Sequence, residues 1–299
     1  MDRRDFVMSG AAFLAGGAFS GSDGWGKTER YALLQREIDA VRASDYREYL
    51  RSFRPALLKA FPALDRLESA IDSLAQEVKD TRASDTPAVW ILYNMGIVVK
   101  TRQACFSIDL MHRRGHELSK LLDFALITHN HDDHYTMAFY EAMNGAGKTV
   151  ISNFLDNYGV ADRHTDGGFT RKEKTFRIRD VEITAGLTDH NDYLIDFTSV
   201  FEIRYGDFTL YHSGDCCNVS KLNPTRRPDL WFVHPRCGLD VGACVRKFSP
   251  RRTIIAHLNE LGHDVGKWRW TWEDGVSAKE AVEREGGAAC VPVWGERII

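Results

Sequence analysis

An α/β layered domain behind an N-terminal helical arm is the fold class that the sequence predicts, on three observations. Residues 28–82 carry apolar side chains at helical spacing. After Thr86-Pro87 the texture changes to short β-rich runs set between turn residues, with helical patterns among them. The length, 299 residues, suits one large domain with an appendage.

The elements follow in order. The chain opens Met1-Asp2-Arg3-Arg4-Asp5-Phe6, and a Gly/Ala-rich apolar stretch runs on to Ser20. Paired arginines before a weakly apolar segment resemble a twin-arginine export signal over residues 1–20, with cleavage after small residues near Ala18 and Ser20. A run of about 15 apolar residues is short for a membrane span. The signal predicts export, a periplasmic location and no stable membrane span after cleavage. Residues 21–86 then form the arm. Leu64, Leu67, Ile71, Leu74 and Val78 lie on one helical stripe, and Pro55 and Pro62 break the region into pieces. A packing role is expected for the arm, with an oligomer interface as the alternative. Residues 87–299 hold strands at 89–93, 96–100, 104–109, 122–128, 181–185, 200–205, 208–212, 230–233 and 253–256. Helices are expected at 137–143 and 278–285.

Composition narrows the function classes. Hydrophobic residues at 43% and charged residues at 27% are ordinary for a globular chain and exclude a disordered one. The formal charge of -3 offers no basic surface for a nucleic-acid backbone. The eleven histidines are the unusual count. Their density peaks in Thr128-His129-Asn130-His131-Asp132-Asp133-His134, where four candidate ligands follow a hydrophobic strand. In extended backbone His129 and His131 project to one side, so two imidazoles can grip one ion. Asp133 and His134 follow one step later and can serve a second position. Imidazole with carboxylate is the donor set of open zinc sites.

With these residues the sequence resembles the metallo-β-lactamase-fold superfamily of metal-dependent hydrolases, over residues 87–299. Five motifs carry the resemblance. They are Asp109 ending a strand, His129-x-His131-x-Asp133-His134, His190 in Thr188-Asp189-His190, Asp215 in Ser213-Gly214-Asp215, and His257 after 253–256. The resemblance implies a four-layer αββα sandwich preceded by the helical segment. It implies one metal held by His129, His131 and His190, a second by Asp133, His134 and His257, and Asp215 bridging them. It also implies Asp109 as an orienting residue behind the ligands. His164, in a polar loop, is the rival of His190 and is read as surface.

The expected activity is that of a dinuclear-metal hydrolase. Asp133 and Asp215 would be its catalytic carboxylates, and a metal-bridging hydroxide would cleave an ester, lactone, amide or phosphodiester of a small molecule. Two divalent ions are expected, Zn²⁺ first, with Mn²⁺ or Fe as alternatives. Asp215 argues against a true β-lactamase, because two-zinc lactamases carry Cys or Ser at the bridging position. A di-iron redox protein and a metal-free binding protein of the same fold are the competing functions. Glu260 and His263, just beyond His257, are expected to contact substrate or donate a proton. His212 and His234 are read as structural, and His112 and His116 as solvated. Trp268, Trp270 and Trp272 would share one face if their segment were a strand, with Arg269 opposite. The six cysteines, none in a C-x-x-C motif, are read as buried thiols, with pairing open outside the cytoplasm.

Overall fold

The structure is a computed structural model that describes residues 24–82, 84–154 and 174–299. The export segment 1–20 and His164 lie outside the described residues.

Four helices build the arm: α1 (Gly24–Asp39), α2 (Ala43–Arg51), α3 (Pro55–Ala60) and α4 (Pro62–Asp80). Pro55 and Pro62 each occupy the first turn of a helix, where a missing N–H costs nothing, so they start α3 and α4 rather than merely interrupting a longer helix. The α4 stripe Leu64, Leu67, Ile71, Leu74 and Val78 is buried and shares one core with Trp90, Leu92 and Val98 of the adjoining sheet. At about 1.5–3 kcal/mol per buried aliphatic side chain, this stripe alone holds the arm against the domain by roughly 10 kcal/mol before entropy is counted.

The first sheet runs β1 (Ala88–Tyr93), β2 (Gly96–Lys100), β3 (Cys105–Ile108), β4 (Phe124–Leu126) and β5 (Thr149–Ile151), in that spatial order. The first two pairings are antiparallel and the last two parallel. Helices α5 (Gly115–Leu118) and α6 (Met137–Gly145) make the parallel crossovers. The second sheet contains β6 (Lys174–Ile178), β7 (Val181–Thr188), β8 (Thr198–Tyr205), β9 (Phe208–His212), β10 (Leu230–Val233), β11 (Arg252–Ile255) and β14 (Ala289–Cys290). Its order is β14-β11-β10-β9-β8-β7-β6. Strands β9, β10, β11 and β14 are parallel, and β6 to β9 form an antiparallel meander. Helices α7 (Val241–Phe248) and α8 (Trp272–Arg284) complete the set, with the two-residue strands β12 (Asp264–Val265) and β13 (Trp268–Arg269).

Alternation along the strands places the sheets face to face. Val89, Ile91, Phe106 and Phe124 meet Ile183, Phe201, Leu210, Phe232 and Ile254 in the inter-sheet core. The residues between them, such as Trp90, Leu92, Trp231 and Val233, face the helices instead. The result is a helix–sheet–sheet–helix sandwich with the arm on its first outer face.

The predicted strands all appear, several of them shorter or longer by one to four residues. The strand expected at 122–128 narrows to Phe124–Leu126, because the chain beyond leaves the sheet to form the site. Strands β5, β6, β12 and β14 and helices α5 and α7 were not anticipated; β5, β12, β14 and α5 are too short, and β6 too exposed, to carry a hydrophobic signature, whereas α7 buries Val241, Cys244 and Val245 at helical spacing. The tryptophan alternation fails: β13 is two residues long, Trp272 begins α8, and a capping box between Thr271 and Asp274 forces the change to helix. Trp268 is exposed, Trp270 half-buried and Trp272 buried, while Arg269 is itself buried.

One glycine is required by contact. Gly214, between β9 and Asp215, has φ of +51°, and an added Cβ would lie 2.6 Å from Thr198 Cγ2 and 3.1 Å from Thr128 Cβ. Gly214→Ala should therefore destabilise the protein by about 2–4 kcal/mol, through left-handed strain plus overpacking. Urea unfolding measures this, and a loss below 0.5 kcal/mol (the size of an ordinary surface substitution) would contradict the contact.

Candidate metal centre

The centre lies where strand ends from both sheets meet. Asp109 follows β3, His129 to His134 follow β4, His190 follows β7, Asp215 follows β9, His234 follows β10 and His257 follows β11. Rigid strands therefore deliver each side chain to one edge of the sandwich.

The first ligand cluster joins His129, His131 and His190, whose nitrogens all lie within 4.8 Å of one another. His129 Nε2 faces His131 Nδ1 at 3.0 Å, and the rings are edge-on with centroids 4.5 Å apart. A second cluster joins Asp133, His134 and His257, with His257 Nε2 3.0 Å from Asp133 Oδ2. Asp215 stands between the two. Its Oδ2 lies 3.3 Å from His257 Nε2, 3.4 Å from His134 Nε2, 3.5 Å from His190 Nε2 and 3.9 Å from His129 Nε2.

Behind the ligands a small relay sets the protonation pattern. Asp109 is fully buried. It accepts the Thr128 N–H and hydroxyl, each at 2.7 Å, and the Nδ1–H of His134 at 2.9 Å. Since the Thr128 hydroxyl proton goes to Asp109, its oxygen accepts from His129 Nδ1 at 3.0 Å. Both imidazoles thus commit Nδ1–H to the relay and turn Nε2 toward the centre, where a bound cation would take its lone pair. Asp109→Asn would set an amide N–H against donors. It should weaken metal affinity by about 10–100-fold, measured by chelator competition, and unchanged affinity would remove Asp109 from the orienting role.

Asn94, in the β1–β2 turn, supports the second cluster. Its Nδ2 donates to the Asp133 carbonyl at 2.9 Å and to Asp133 Oδ2 at 3.2 Å, and its carbonyl accepts the His257 N–H. Asn94, Asp109, His257 and Asn259 have φ of 54°, 48°, 57° and 58°. Left-handed backbone at non-glycine residues costs of order 1–3 kcal/mol each in strained cases, least for Asn and Asp, and its clustering here marks a site the rest of the fold over-determines.

Charge separates the imidazoles into two kinds. Burial opposes the charging of His134, yet Asp215, Asp133 and Asp109 together hold it well above the ordinary value. Burial likewise opposes His257, but Asp215 and Asp133 push it up to about 10. Burial, reinforced by neighbouring imidazoles, holds His129 well below the ordinary value and lowers His131. Burial works against ionisation of Asp215 too, but His257 and His134 outweigh it and keep the carboxyl charged.

The donor set fits bound cations. His134 Nε2, His257 Nε2 and Asp215 Oδ1 are buried and in no hydrogen bond. Such orphaned groups cost about 1–3 kcal/mol each unless a cation or water meets them. Two nitrogens on a tetrahedral ion 2.0–2.1 Å away stand about 3.3 Å apart, close to the His129–His131 spacing. Only nitrogen and oxygen donors converge: the Cys216 thiol turns away to Thr188 Oγ1 at 2.8 Å, and all six cysteines are free.

Glu260 and His263 stand beside the second cluster, their ligand atoms within 4.8 Å of one on Asp133. Glu260 is buried and accepts from the Tyr93 hydroxyl at 3.1 Å, from the Gly262 and His263 N–H groups at 2.6 and 3.0 Å, and from His263 Nδ1 at 2.7 Å. That Glu260 bond raises the basicity of the half-exposed His263 ring.

Three histidine readings need comment. His212 packs as expected, with Nε2 donating to the Met95 carbonyl at 3.1 Å. His112 is not solvated but fully buried against Tyr49, and burial lowers it to about 4; the arm, invisible in the local sequence, is what covers it. His234 stands in the centre, stacked on His257 with centroids 3.9 Å apart and planes at 8°. Asn94 and Thr128 are the site residues that sequence reasoning missed, and neither offered a local signal. His234, read as structural though a histidine directly after an apolar strand could reach the site, stands in it.

No family model and no curated protein matches the sequence. Solved structures do. A metallo hydrolase from the hyperthermophilic archaeon Ignicoccus hospitalis aligns over 71% of this chain and 98% of its own, at 16% identity and a TM-score of 0.54. A metallo-β-lactamase-fold protein from Bacillus subtilis aligns over the same shares at 13% identity and a TM-score of 0.51. A diiron β-hydroxylase from Streptomyces venezuelae aligns over 71% of this chain and 53% of its own, at 15% identity and a TM-score of 0.53. The two sheets and their helical covers are thus those of one architecture, and the chain has the metallo-β-lactamase fold.

Proposed function

We propose that the protein is a metal-dependent hydrolase with a two-ion centre. His129, His131 and His190 would hold one ion, Asp133, His134 and His257 the other, and Asp215 would bridge. The observation that carries the reading is the convergence of these seven donors on one strand-end edge, with His134 Nε2, His257 Nε2 and Asp215 Oδ1 buried and in no hydrogen bond. Two divalent cations bound there supply the charge that makes water a nucleophile near neutral pH and polarises a substrate oxygen. The remaining work falls to the chain. Asp109 and Thr128 keep the Nε2 lone pairs of His129 and His134 turned inward. Asn94 holds Asp133 in place. His263, anchored at Nδ1 by Glu260, keeps Nε2 for carrying a proton to a leaving group.

The substrate class is a small-molecule ester, lactone, amide or phosphodiester. The test is a screen of lactones, β-lactams, phosphodiesters and thioesters on mature protein loaded with Zn²⁺ or Mn²⁺. Turnover that chelation abolishes supports the reading. Stoichiometric iron with a redox-active spectrum and no hydrolysis would replace it by a di-iron oxidative centre, a reading favoured by the likeness to the diiron β-hydroxylase. Metal uptake also has a pH signature. His257, held near 10 by Asp215 and Asp133, is protonated at pH 7 in the metal-free protein, and each bound ion must displace such protons. Affinity should rise about tenfold per pH unit for each proton displaced between pH 6 and 8, measured with a competing chelator. A flat profile would show that His257 is not a ligand.

We also propose export through the twin-arginine pathway and a periplasmic location, which the Arg3-Arg4 signal supports. N-terminal sequencing of the exported protein tests it; intact residues 1–20 would count against cleavage. Among the described residues no helix is long and apolar enough to cross a membrane.

A further inference from the structure

His234 lies close enough to the centre to be taken for a ligand: it offers a ring nitrogen within 4.8 Å of ligand atoms on Asp215 and His257. It follows β10, between the strands that deliver Asp215 and His257, so its position is fixed by the same parallel pairing. Its hydrogen bonding differs from theirs. The Arg236 N–H donates to His234 Nδ1 at 3.1 Å, which occupies the lone pair there. A neutral imidazole has one lone-pair nitrogen and one N–H nitrogen, so the proton of His234 sits on Nε2.

The same chain shows both outcomes of this rule. His212 accepts the Gly214 N–H at Nδ1 and accordingly donates from Nε2 to the Met95 carbonyl. His134 shows the reverse engagement, donating from Nδ1 to Asp109 with Nε2 turned to Asp215. His234 follows the first pattern, yet among the described residues no carbonyl receives its Nε2–H. Asp215 Oδ1 accepts from nothing within the protein, so the proton is not spent there. Stacking on His257 and 5% exposure hold the ring in one orientation.

We infer that His234 is a hydrogen-bond donor to a substrate oxygen at the centre, carbonyl or phosphoryl, and is not a metal ligand. The inference rests on the metal-centre reading above. With Nδ1 occupied by the Arg236 N–H, the ring has one N–H to offer, at Nε2. A fixed N–H aimed where negative charge develops needs no reorganisation as the reaction proceeds.

The test compares the parent with His234→Phe, which keeps a flat ring against His257 but has no N–H, and His234→Gln, which restores a donor. Long-range ¹H–¹⁵N spectra at pH 7 should show His234 with a bare Nδ1 and a protonated Nε2, unchanged on adding Zn²⁺. Zn²⁺ content should be equal in all three proteins. Inorganic phosphate, used as an oxyanion probe in calorimetry on the Zn²⁺-loaded proteins, should bind about tenfold more weakly to His234→Phe and regain part of that in His234→Gln. Loss of an ion in His234→Phe, or a Zn²⁺-induced shift at Nε2, would make His234 a ligand. Equal phosphate binding in all three would reduce it to packing. If the parent takes up no metal, the metal-centre reading fails by itself, and a proton found on Nδ1 in the metal-free protein overturns the inference separately.

Discussion

Asp215→Ala should leave a folded protein that holds at most one metal ion per chain and has lost about 10³-fold in turnover. Asp215 Oδ2 lies within 4 Å of nitrogens from both clusters: it faces His129 and His190 on one side and His134 and His257 on the other. Without it the two sets of nitrogens lose their shared negative charge. Two cations held close repel strongly in a site shielded from water, and a bridging carboxylate is what makes their proximity tolerable. The loss expected is several kcal/mol of transition-state stabilisation, and 1.4 kcal/mol is tenfold. Elemental analysis and turnover on the best substrate of the screen measure it. An Asp215→Ala protein with two ions and full turnover would falsify the bridging assignment. The fold should survive, because Asp215 Oδ1 makes no hydrogen bond that the scaffold needs.

Arg269→Met should cost about 3–5 kcal/mol of stability and lower the melting temperature by on the order of 10 °C. The guanidinium is buried and donates to five carbonyls. Nη1 reaches Ile38 and Val41, at 3.0 and 2.7 Å, where α1 ends. Nη2 reaches Leu261 at 3.1 Å, and Nε is shared between Glu260 and His263, at 3.1 and 2.7 Å. One side chain thus clips the arm to the loop that follows His257. Ala43 N–H to Asp264 Oδ1 at 2.9 Å adds a second tie. Methionine matches the length of the stem but leaves buried carbonyls without donors. Arg269→Lys should recover only part of the loss, since an ammonium cannot reproduce the planar fork. Urea denaturation of the three proteins measures this. A cost below 1 kcal/mol for Arg269→Met would show that the arm is held by its apolar stripe alone.

Local sequence carried the layered architecture well, because alternation and helical spacing report burial directly. The strands 89–93, 96–100 and 208–212 were legible from their apolar and β-branched content, and the α4 stripe from its spacing. The His129 to His134 cluster was legible because its members are neighbours in the chain and share one strand end. Residues such as Asn94 and Thr128 were not. Asn94 reads as ordinary turn chemistry between β1 and β2, and its contacts to Asp133 and His257 span 39 and 163 positions. Arg269 reads only as the residue opposite the tryptophans, and its partner Ile38 lies 231 positions away.

By itself, then, the sequence determined which side chains can bind a cation and which strands can deliver them. Both are properties of residue type and short-range pattern. Only the tertiary structure decided how those side chains are protonated and aimed. A tautomer depends on what the other ring nitrogen meets, and that partner came from a neighbouring residue's backbone for His234 but from another strand's carboxylate for His134. The same holds for burial: His112 and Arg269 carry polar heads, and it took the arm folding over them to bury both, against a solvated reading of His112.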